Sequence, residues 1–308
     1  MAQRAGVSSL RAPVARLTLR RREALDGYLA ILPTIVIFAV FVAFPVVFSL
    51  WMSFHKWTMF GTPRWIELQN YGQLLHDPDF GQAILNTLYF TVVSVPLGMA
   101  IALALALVLN RKMRGLTFYR AVYFAPVVTA AVAVSLVWQI LYNTQYGLIN
   151  YILNLLHLPA IAWLDDPHWA MPAIIIMSIW KGLGSTMVIY LAGLLAIPEH
   201  YYEAARIDGA GRIALFRHVT WPLLFPTTFF VLVMSIIGSF QVFDQVYVMT
   251  GGGPFGATNV IVLLLYQRAF QAFQMGYASA MAWVLFAMIF VVSLLQFRLL
   301  RRFNYFEA

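Results

Sequence analysis

Six long apolar runs, separated by short polar segments, make up most of the chain. Each run has about 18 residues or more, which is enough for a helix to cross the hydrocarbon core of a membrane. The runs cover residues 27–50, 84–109, 121–141, 170–197, 223–248 and 278–299. The pattern therefore predicts an all-α integral membrane protein with six transmembrane helices.

The polar segments at the two ends divide the chain into a membrane domain and two tails. We predict a basic N-terminal tail at residues 1–26, a six-span domain at residues 27–302 and a short C-terminal tail at residues 303–308. The first apolar run is longer than a signal-peptide core and has no obvious small-residue cleavage site. We therefore expect it to be kept as the first transmembrane helix.

The composition excludes a water-soluble globule and several kinds of chemistry. Hydrophobic residues make up 62% of the 308 residues and charged residues only 10%, whereas a soluble domain has about 25% charged residues. The chain has no cysteine, which excludes disulfides, thiolate metal sites and a cysteine nucleophile.

The net charge of +8 is unevenly distributed between the two sides of the predicted membrane domain. With six spans, 16 of the 20 basic residues fall on the side that holds both termini and the second and fourth connecting segments. An excess of Lys and Arg in short connecting segments marks the cytoplasmic side. Arg111, Lys112 and Arg114 are therefore predicted to be cytoplasmic, and Asp165 and Asp166 to face outward. The same rule explains the basic charge without nucleic acid.

Three fragments that resemble enzyme motifs lack the surroundings that such motifs need. Residues 209–214, GAGRIA, fit a dinucleotide-binding pattern, but a charged helical segment precedes them instead of a strand. Residues 200–203, HYYE, offer two metal ligands with no third candidate nearby. Residues 182–186, GLGST, lack the Lys-Ser/Thr ending of a phosphate loop. We therefore expect no catalytic, cofactor-binding or metal site in this chain.

A polar segment with the sequence EAARIDGAGRIALFRHVTWP interrupts the apolar middle of the chain at residues 203–222. Asp208-Gly209 is a turn signal, so the segment is predicted to form two short helices joined by a turn. The second helix places apolar side chains on one face, namely Ile213, Phe216 and, less squarely, Val219. Such a segment fits either an amphipathic helix lying on the membrane surface or a docking site for another protein.

The order of residues in this segment resembles the E-A-A-x-x-x-G-A signature of the permease subunits of binding-protein-dependent ABC importers. YLAGLLAIPEHYYEAARIDGA and FQVFDQVYVMTGGGPFGATN are similar to the carbohydrate-uptake, maltose-type branch of that family. The resemblance covers about residues 27–302. The chain lacks the extra spans and the large insert of the larger maltose permease. It is more similar to the compact six-span permeases of glycerol-phosphate and lactose systems.

The resemblance implies that the polar segment is a coupling helix that sits in a cleft of a cytoplasmic ATPase. Glu203 would pair with a basic residue of that ATPase, and Gly209 would form the bend between the two short helices. The residues that the resemblance assigns to coupling, within the segment 198–222, are Glu203, Ala204, Ala205, Asp208, Gly209, Ala210, Phe216 and Pro222.

The resemblance also implies a substrate path near the middle of the membrane. Candidates on the fourth and fifth runs are Ser178, Lys181, Gly182, Ser185, Ser235, Ser239, Gln241 and Asp244. The serines and the glycine recur at helical spacing on shared faces, which equally suits close packing of helices. Lys181 and Asp244 are charges within predicted spans. They either form a salt bridge or act separately, Asp244 at an outer gate or loop and Lys181 with a second permease.

The sequence thus predicts a permease subunit of an ATP-driven importer for a sugar or sugar-like solute, for example a di- or oligosaccharide, in a bacterial inner membrane. The expected partners are a second homologous permease, an ABC ATPase dimer that binds the ATP and Mg, and an extracytoplasmic solute-binding protein. The chain itself is expected to be neither an enzyme nor a cofactor-binding protein. The alternatives are a permease for a glycerol-phosphate-type solute and an ion-coupled secondary transporter.

Overall fold

A computed structural model describes residues 14–110 and 115–303. The contacts divide the chain into two units, Met1–Met52 and Ser53–Ala308. Part of the predicted tail 1–26, most of the tail 303–308 and the basic residues Arg111, Lys112 and Arg114 lie outside the described residues.

Most of the described residues are helical. A ribbon of two short strands, β1 (His55–Lys56) and β2 (Arg64–Trp65), pairs antiparallel. The α-helices in chain order are α1 (Val14–Phe38), α2 (Phe44–Ser53), α3 (Gln69–His76), α4 (Pro78–Leu109), α5 (Leu116–Val128), α6 (Ala131–Leu141), α7 (Leu148–Leu155), α8 (Pro167–Leu195), α9 (Glu199–Ile207), α10 (Arg212–Leu215), α11 (Trp221–Phe240), α12 (Asp244–Met249), α13 (Ile261–Tyr266) and α14 (Met275–Phe303). This confirms the predicted all-α class.

Five helical stretches among the described residues are long and apolar enough to cross a membrane. They are Asp26–Ser53, Pro78–Leu109, Pro167–Leu195, Arg212–Phe240 and Met275–Arg298. The third predicted run is instead a pair of helices, α5 and α6, that meet at an angle of 100°. Thr129 has extended backbone angles at this break, which the apolar composition on both sides does not reveal.

The fifth predicted run, 223–248, is wrong at both ends. Its helix begins at Arg212 and ends at Phe240, and Gln241 and Phe243 have non-helical backbone angles before α12 begins at Asp244. Asp244 therefore starts a separate helix instead of lying inside a span. A carboxylate in a first helical turn is favoured by the partial positive charge of the helix N-terminus.

The second helix of the polar segment is also not a separate surface helix. α10 continues through a π-helical segment, Phe216–Thr220, directly into α11. Pro222 follows this wider turn and has no N–H for the usual bond to the carbonyl four residues earlier. A π-helical turn ahead of a proline accommodates that missing bond, and the segment Ala39–Ala43 precedes Pro45 in the same way.

Helices α4, α8 and α11 pack against one another over a shared apolar core. Ala102 and Ala106 of α4 are fully buried against Met187 of α8 and Leu224 of α11. Small residues let these helices approach closely, as is usual within membranes. The three helices therefore pack as one bundle through these buried residues.

Helices α4 and α8 are both preceded by an aspartate and both begin with a proline. Asp77 accepts a hydrogen bond from the N–H of Asp79, and Asp166 accepts one from the N–H of His168. The hydrogen bond from the His168 backbone is the main reason that the pKa of Asp166 lies below its usual value. Both aspartates are thus N-terminal caps, and both prolines occupy the first helical turn, where their missing N–H is not needed.

Candidate functional site

A cavity of about 240 Å³ lies among α4, α8 and α11. It is placed at the middle of α4 and α8 and near the C-terminal end of α11. Its polar wall consists of serine, threonine, glutamine and glycine residues from these helices and from α12. These lining residues are Ser94, Gly98, Ser178, Gly182, Thr186, Ser235, Gly238, Ser239 and Gln245.

Four of the eight residues predicted for the substrate path line this one cavity. Ser178 and Gly182 reach it from α8, and Ser235 and Ser239 reach it from α11. The helical spacing that placed each pair on one face thus brings both pairs to the same space.

The other four predicted residues do not line the cavity. Ser185 donates a hydrogen bond to the Gly182 carbonyl oxygen of its own helix, at 2.9 Å. Gln241 is exposed at the break after α11, and Lys181 is half-buried beside the cavity-lining face of α8. No ion pair joins Lys181 to Asp244 among the described residues, and Asp244 is exposed at the start of α12.

Sequence reasoning missed five polar or small lining residues, Ser94, Gly98, Thr186, Gly238 and Gln245. Two of them, Thr186 and Gly238, lie four and three residues from the predicted Gly182 and Ser235, so the same spacing rule could have found them. Ser94 and Gly98 are four residues apart on α4, where the sequence analysis named no candidate. Gln245 lies four residues after the predicted Gln241, but the spacing rule does not hold across the break that separates α11 from α12.

Two hydroxyl groups of the cavity already donate hydrogen bonds to carbonyl oxygens of their own helices. Ser178 Oγ donates to the Ile174 carbonyl oxygen at 2.7 Å, and Ser239 Oγ donates to that of Ile236 at 2.9 Å. Gln245 Nε2 donates to Ser178 Oγ at 3.3 Å and so joins α12 to α8. A hydroxyl oxygen that donates once keeps acceptor capacity, so this wall is suited to accept hydrogen bonds from a polar solute.

Glycine leaves room in the same wall. A β-carbon built at Gly182 or at Gly238 would meet no atom within 4 Å. These two positions therefore mark empty space and not close helix contacts. The lining carries no charged side chain.

The polar segment between α8 and α11 turns at Gly209. Its φ of +81° is in the left-handed region that glycine adopts at little cost. The N–H of Gly209 donates to the Arg206 carbonyl oxygen at 3.0 Å, and that of Ala210 donates to Ala205 at 2.9 Å. This pair of bonds is a Schellman motif, which closes the C-terminus of α9.

The turn presents a surface that combines charge with apolar side chains. Glu203, Ala204 and Asp208 are exposed, whereas Ala205, Ala210 and Pro222 are partly buried. Ile207 and Ile213 flank the turn with 86% and 83% of their surface exposed, and Phe216 is 36% exposed. The sequence prediction included Ile213 and Phe216 but missed Ile207, because it considered an apolar face only for the helix after Gly209.

A hydrogen bond holds the two arms of the segment together. Tyr202 Oη and Thr220 Oγ1 lie 3.1 Å apart, so α9 is tied to the π-helical turn that leads into α11. The protruding turn is therefore braced at its base.

Comparison with known proteins identifies the family of this membrane fold. Residues 78–305 match the model of a family described as "Binding-protein-dependent transport system inner membrane component". The chain belongs to this family. Within it, the chain is a multi-pass membrane component of an ABC transporter and not an enzyme, and an ion-coupled carrier is excluded.

Two relatives of this permease cover nearly its whole length. The trehalose/maltose transport system permease protein MalF of Thermococcus litoralis is 37% identical, with 88% of this chain and 92% of the relative covered. The sn-glycerol-3-phosphate transport system permease protein UgpA of Brucella abortus is 33% identical, with 89% and 94% covered.

A solved structure has the same fold. It is a bacterial ABC transporter involved in the import of the acidic polysaccharide alginate, and it superposes on this permease with a TM-score of 0.83. The two chains are 25% identical, and the match covers 94% of this chain and 99% of the other.

Proposed function

We propose that this permease forms half of the translocation pathway of an ATP-driven importer for a sugar or sugar-like solute. The cavity among α4, α8 and α11 is this chain's share of that pathway. A second homologous permease supplies the other half, an ABC ATPase dimer binds the ATP and Mg, and an extracytoplasmic solute-binding protein delivers the solute.

The polar, uncharged wall of the cavity is the observation that carries this proposal. Serine and threonine hydroxyls and the Gln245 amide match the hydrogen-bonding groups of a polyhydroxylated solute. The empty space beside Gly182 and Gly238 leaves room for a ring. Sugar-transport relatives at 37% identity, such as the Thermococcus permease, agree with this chemistry.

The same wall favours a neutral solute over a phosphate ester. Proteins usually bind phosphate through Arg, Lys or backbone N–H groups at a helix N-terminus. The cavity lining contains no Arg or Lys, and its residues lie inside helices except Val242, in the break before α12, and Gln245, in the first turn of α12. The glycerol-phosphate alternative therefore has weaker support from this chain.

The braced turn at Gly209 is proposed to couple the cavity to the ATPase. Its exposed Glu203 and apolar residues Ile207 and Ile213 offer a charged group beside a surface that excludes water. In this proposal Glu203 pairs with a basic ATPase residue, and the turn, the basic side of the chain and both termini are cytoplasmic.

Blocking the cavity tests the substrate path. Gly182→Trp and Ser239→Trp are expected to reduce sugar uptake by the reconstituted importer at least tenfold, because each indole fills space that a solute needs. Gly81→Trp is the matched control, since a β-carbon at Gly81 also meets no atom within 4 Å but the residue lies outside the cavity.

The measurements are uptake of a labelled neutral disaccharide into proteoliposomes, competition by glycerol phosphate, and assembly by size-exclusion chromatography. Competition by the disaccharide but not by glycerol phosphate is the expected result. Normal uptake in both Trp variants with intact assembly would contradict the assignment of the cavity.

A further inference from the structure

Phe255 is the most exposed large apolar side chain among the described residues. Its exposed fraction is 98%, so packing inside this chain does not account for it. Its φ of +51° lies in the left-handed region, where a bulky residue is an outlier. The neighbours with positive φ, Gly251, Gly252 and Gly256, are all glycine.

The loop that carries Phe255 is held in one conformation by its own hydrogen bonds. Thr258 Oγ1 donates to the Gly253 carbonyl oxygen at 2.7 Å and lies 2.7 Å from Thr250 Oγ1. The N–H of Gly253 donates to the Thr250 carbonyl oxygen at 3.0 Å. Thr258 is fully buried, so this network forms the base of the loop.

A second set of bonds fixes the loop to α4. Asn86 Nδ2 donates to the carbonyl oxygens of Gly256 and Asn259, both at 2.9 Å. Asn86 is itself buried and accepts a bond from Gln82 at 3.0 Å. Phe255 is thus presented on a pre-organised support, which lowers the entropy lost when such a side chain binds a partner.

A polar recess adjoins the same loop. Its volume is about 360 Å³, and its walls include Gly253 and Pro254 on one side and Gln139, Asn143 and Asp165 on the other. Asp165 is the one charged lining residue. It is exposed and accepts a hydrogen bond from Thr144 Oγ1 at 3.3 Å. The recess is therefore suited to a basic side chain, and Phe255 directly follows its lining residue Pro254 in the chain.

We propose that Phe255 and this recess form a docking surface for the extracytoplasmic solute-binding protein. Phe255 enters an apolar depression of that protein, and a Lys or Arg of the same protein enters the recess and pairs with Asp165. Aromatic anchors beside a charge pair are typical of interface residues with large energetic weight. This inference rests on the proposed function in two ways. Its partner is the binding protein of that function, and the loop that carries Phe255 must face outward.

Site-specific photo-crosslinking tests the surface in the assembled importer. p-Benzoylphenylalanine replaces Phe255 in one variant and Phe60 in a control variant, since Phe60 is 76% exposed and lies on the same predicted side. Illumination of cells expressing the whole importer is expected to give an adduct from position 255. Mass spectrometry is expected to identify its partner as a solute-binding protein, with at least ten times the yield from position 60.

Charge reversal provides the second arm. Asp165→Lys is expected to reduce the adduct from position 255 at least fivefold, while Glu67→Lys, at another exposed acidic residue of the same predicted side, leaves it within twofold. Phe255→Ala is expected to raise about tenfold the concentration of purified binding protein that gives half-maximal uptake, with the maximal rate unchanged.

The outcomes separate this inference from the function on which it rests. An adduct with the second permease or with lipid would overturn the docking surface, and so would equal yields from positions 255 and 60. Either result would leave the proposed function standing, provided that uptake still requires the binding protein. Uptake by the wild-type importer without any solute-binding protein would remove the proposed function and the docking surface together.

Discussion

Two glycines of α8 that are two positions apart have opposite surroundings. A β-carbon at Gly184 would lie 2.3 Å from the Tyr123 carbonyl oxygen and 2.9 Å from Phe124 Cα on α5. A β-carbon at Gly182 would meet nothing and point into the cavity wall. The same residue type therefore serves close helix packing at one position and open space at the other.

This contrast predicts different results for the same substitution. Gly184→Ala is expected to destabilise the protein by about 1–3 kcal/mol, because backbone atoms of α5 must move to admit the methyl group. Gly182→Ala is expected to leave stability unchanged. Thermal unfolding of the two detergent-solubilised variants measures the difference, and equal melting temperatures would show that α5 does not press against α8 at Gly184.

At the scale of elements, α9 and α10 are joined by a turn that only a glycine adopts easily. The left-handed angle of Gly209 costs other residues about 1–2 kcal/mol, and the Schellman bonds to Ala205 and Arg206 depend on it. The direction in which Glu203 and Ile207 project is thus fixed by one backbone angle.

Gly209→Ala and Glu203→Lys are expected to abolish substrate-stimulated ATP hydrolysis while the permease still inserts into the membrane. Gly211→Ala is the matched control, because Gly211 has an ordinary φ of −74° and a β-carbon there meets nothing within 4 Å. ATPase assays and co-purification with the ATPase are the measurements. Normal stimulation in both Gly209→Ala and Glu203→Lys would disprove the coupling role.

The helices and the turn at Gly209 could be predicted because each depends on local sequence. Long apolar runs predict the membrane helices, and the Asp-Gly pair predicts the turn. The spacing of the serines predicts which side of a helix they share. The 100° bend at Thr129 could not, because apolar residues continue on both sides of it. The break after Phe240 was missed although Gln241, Asp244 and Gln245 interrupt the apolar run there. Gln245 lines the cavity because the chain breaks after Phe240, and Ser94 lines it because α4 packs against α8. Both positions depend on tertiary structure.

For the whole molecule, the distribution of basic residues predicts which side faces the cytoplasm. The chain has no native cysteine, so single cysteines report on topology without background. A cysteine at Asp165 is expected to react with a membrane-impermeant reagent in intact spheroplasts, and one at Arg206 only after lysis. Labelling of position 206 and protection of position 165 would reverse the orientation.

The continuity of α10, the π-helical segment and α11 has a mechanical consequence. The helical path from Arg212 to Ser235 is about 35 Å long at about 1.5 Å per residue, and it connects the turn at Gly209 to the cavity wall. A tilt of this helical path by about 10° about the turn would displace Ser235 sideways by about 6 Å. In the proposed coupling, the π-helical turn at Phe216–Thr220 lies between the turn at Gly209 and the cavity wall, so a change in its hydrogen bonding would alter how much of a movement at the turn reaches the cavity.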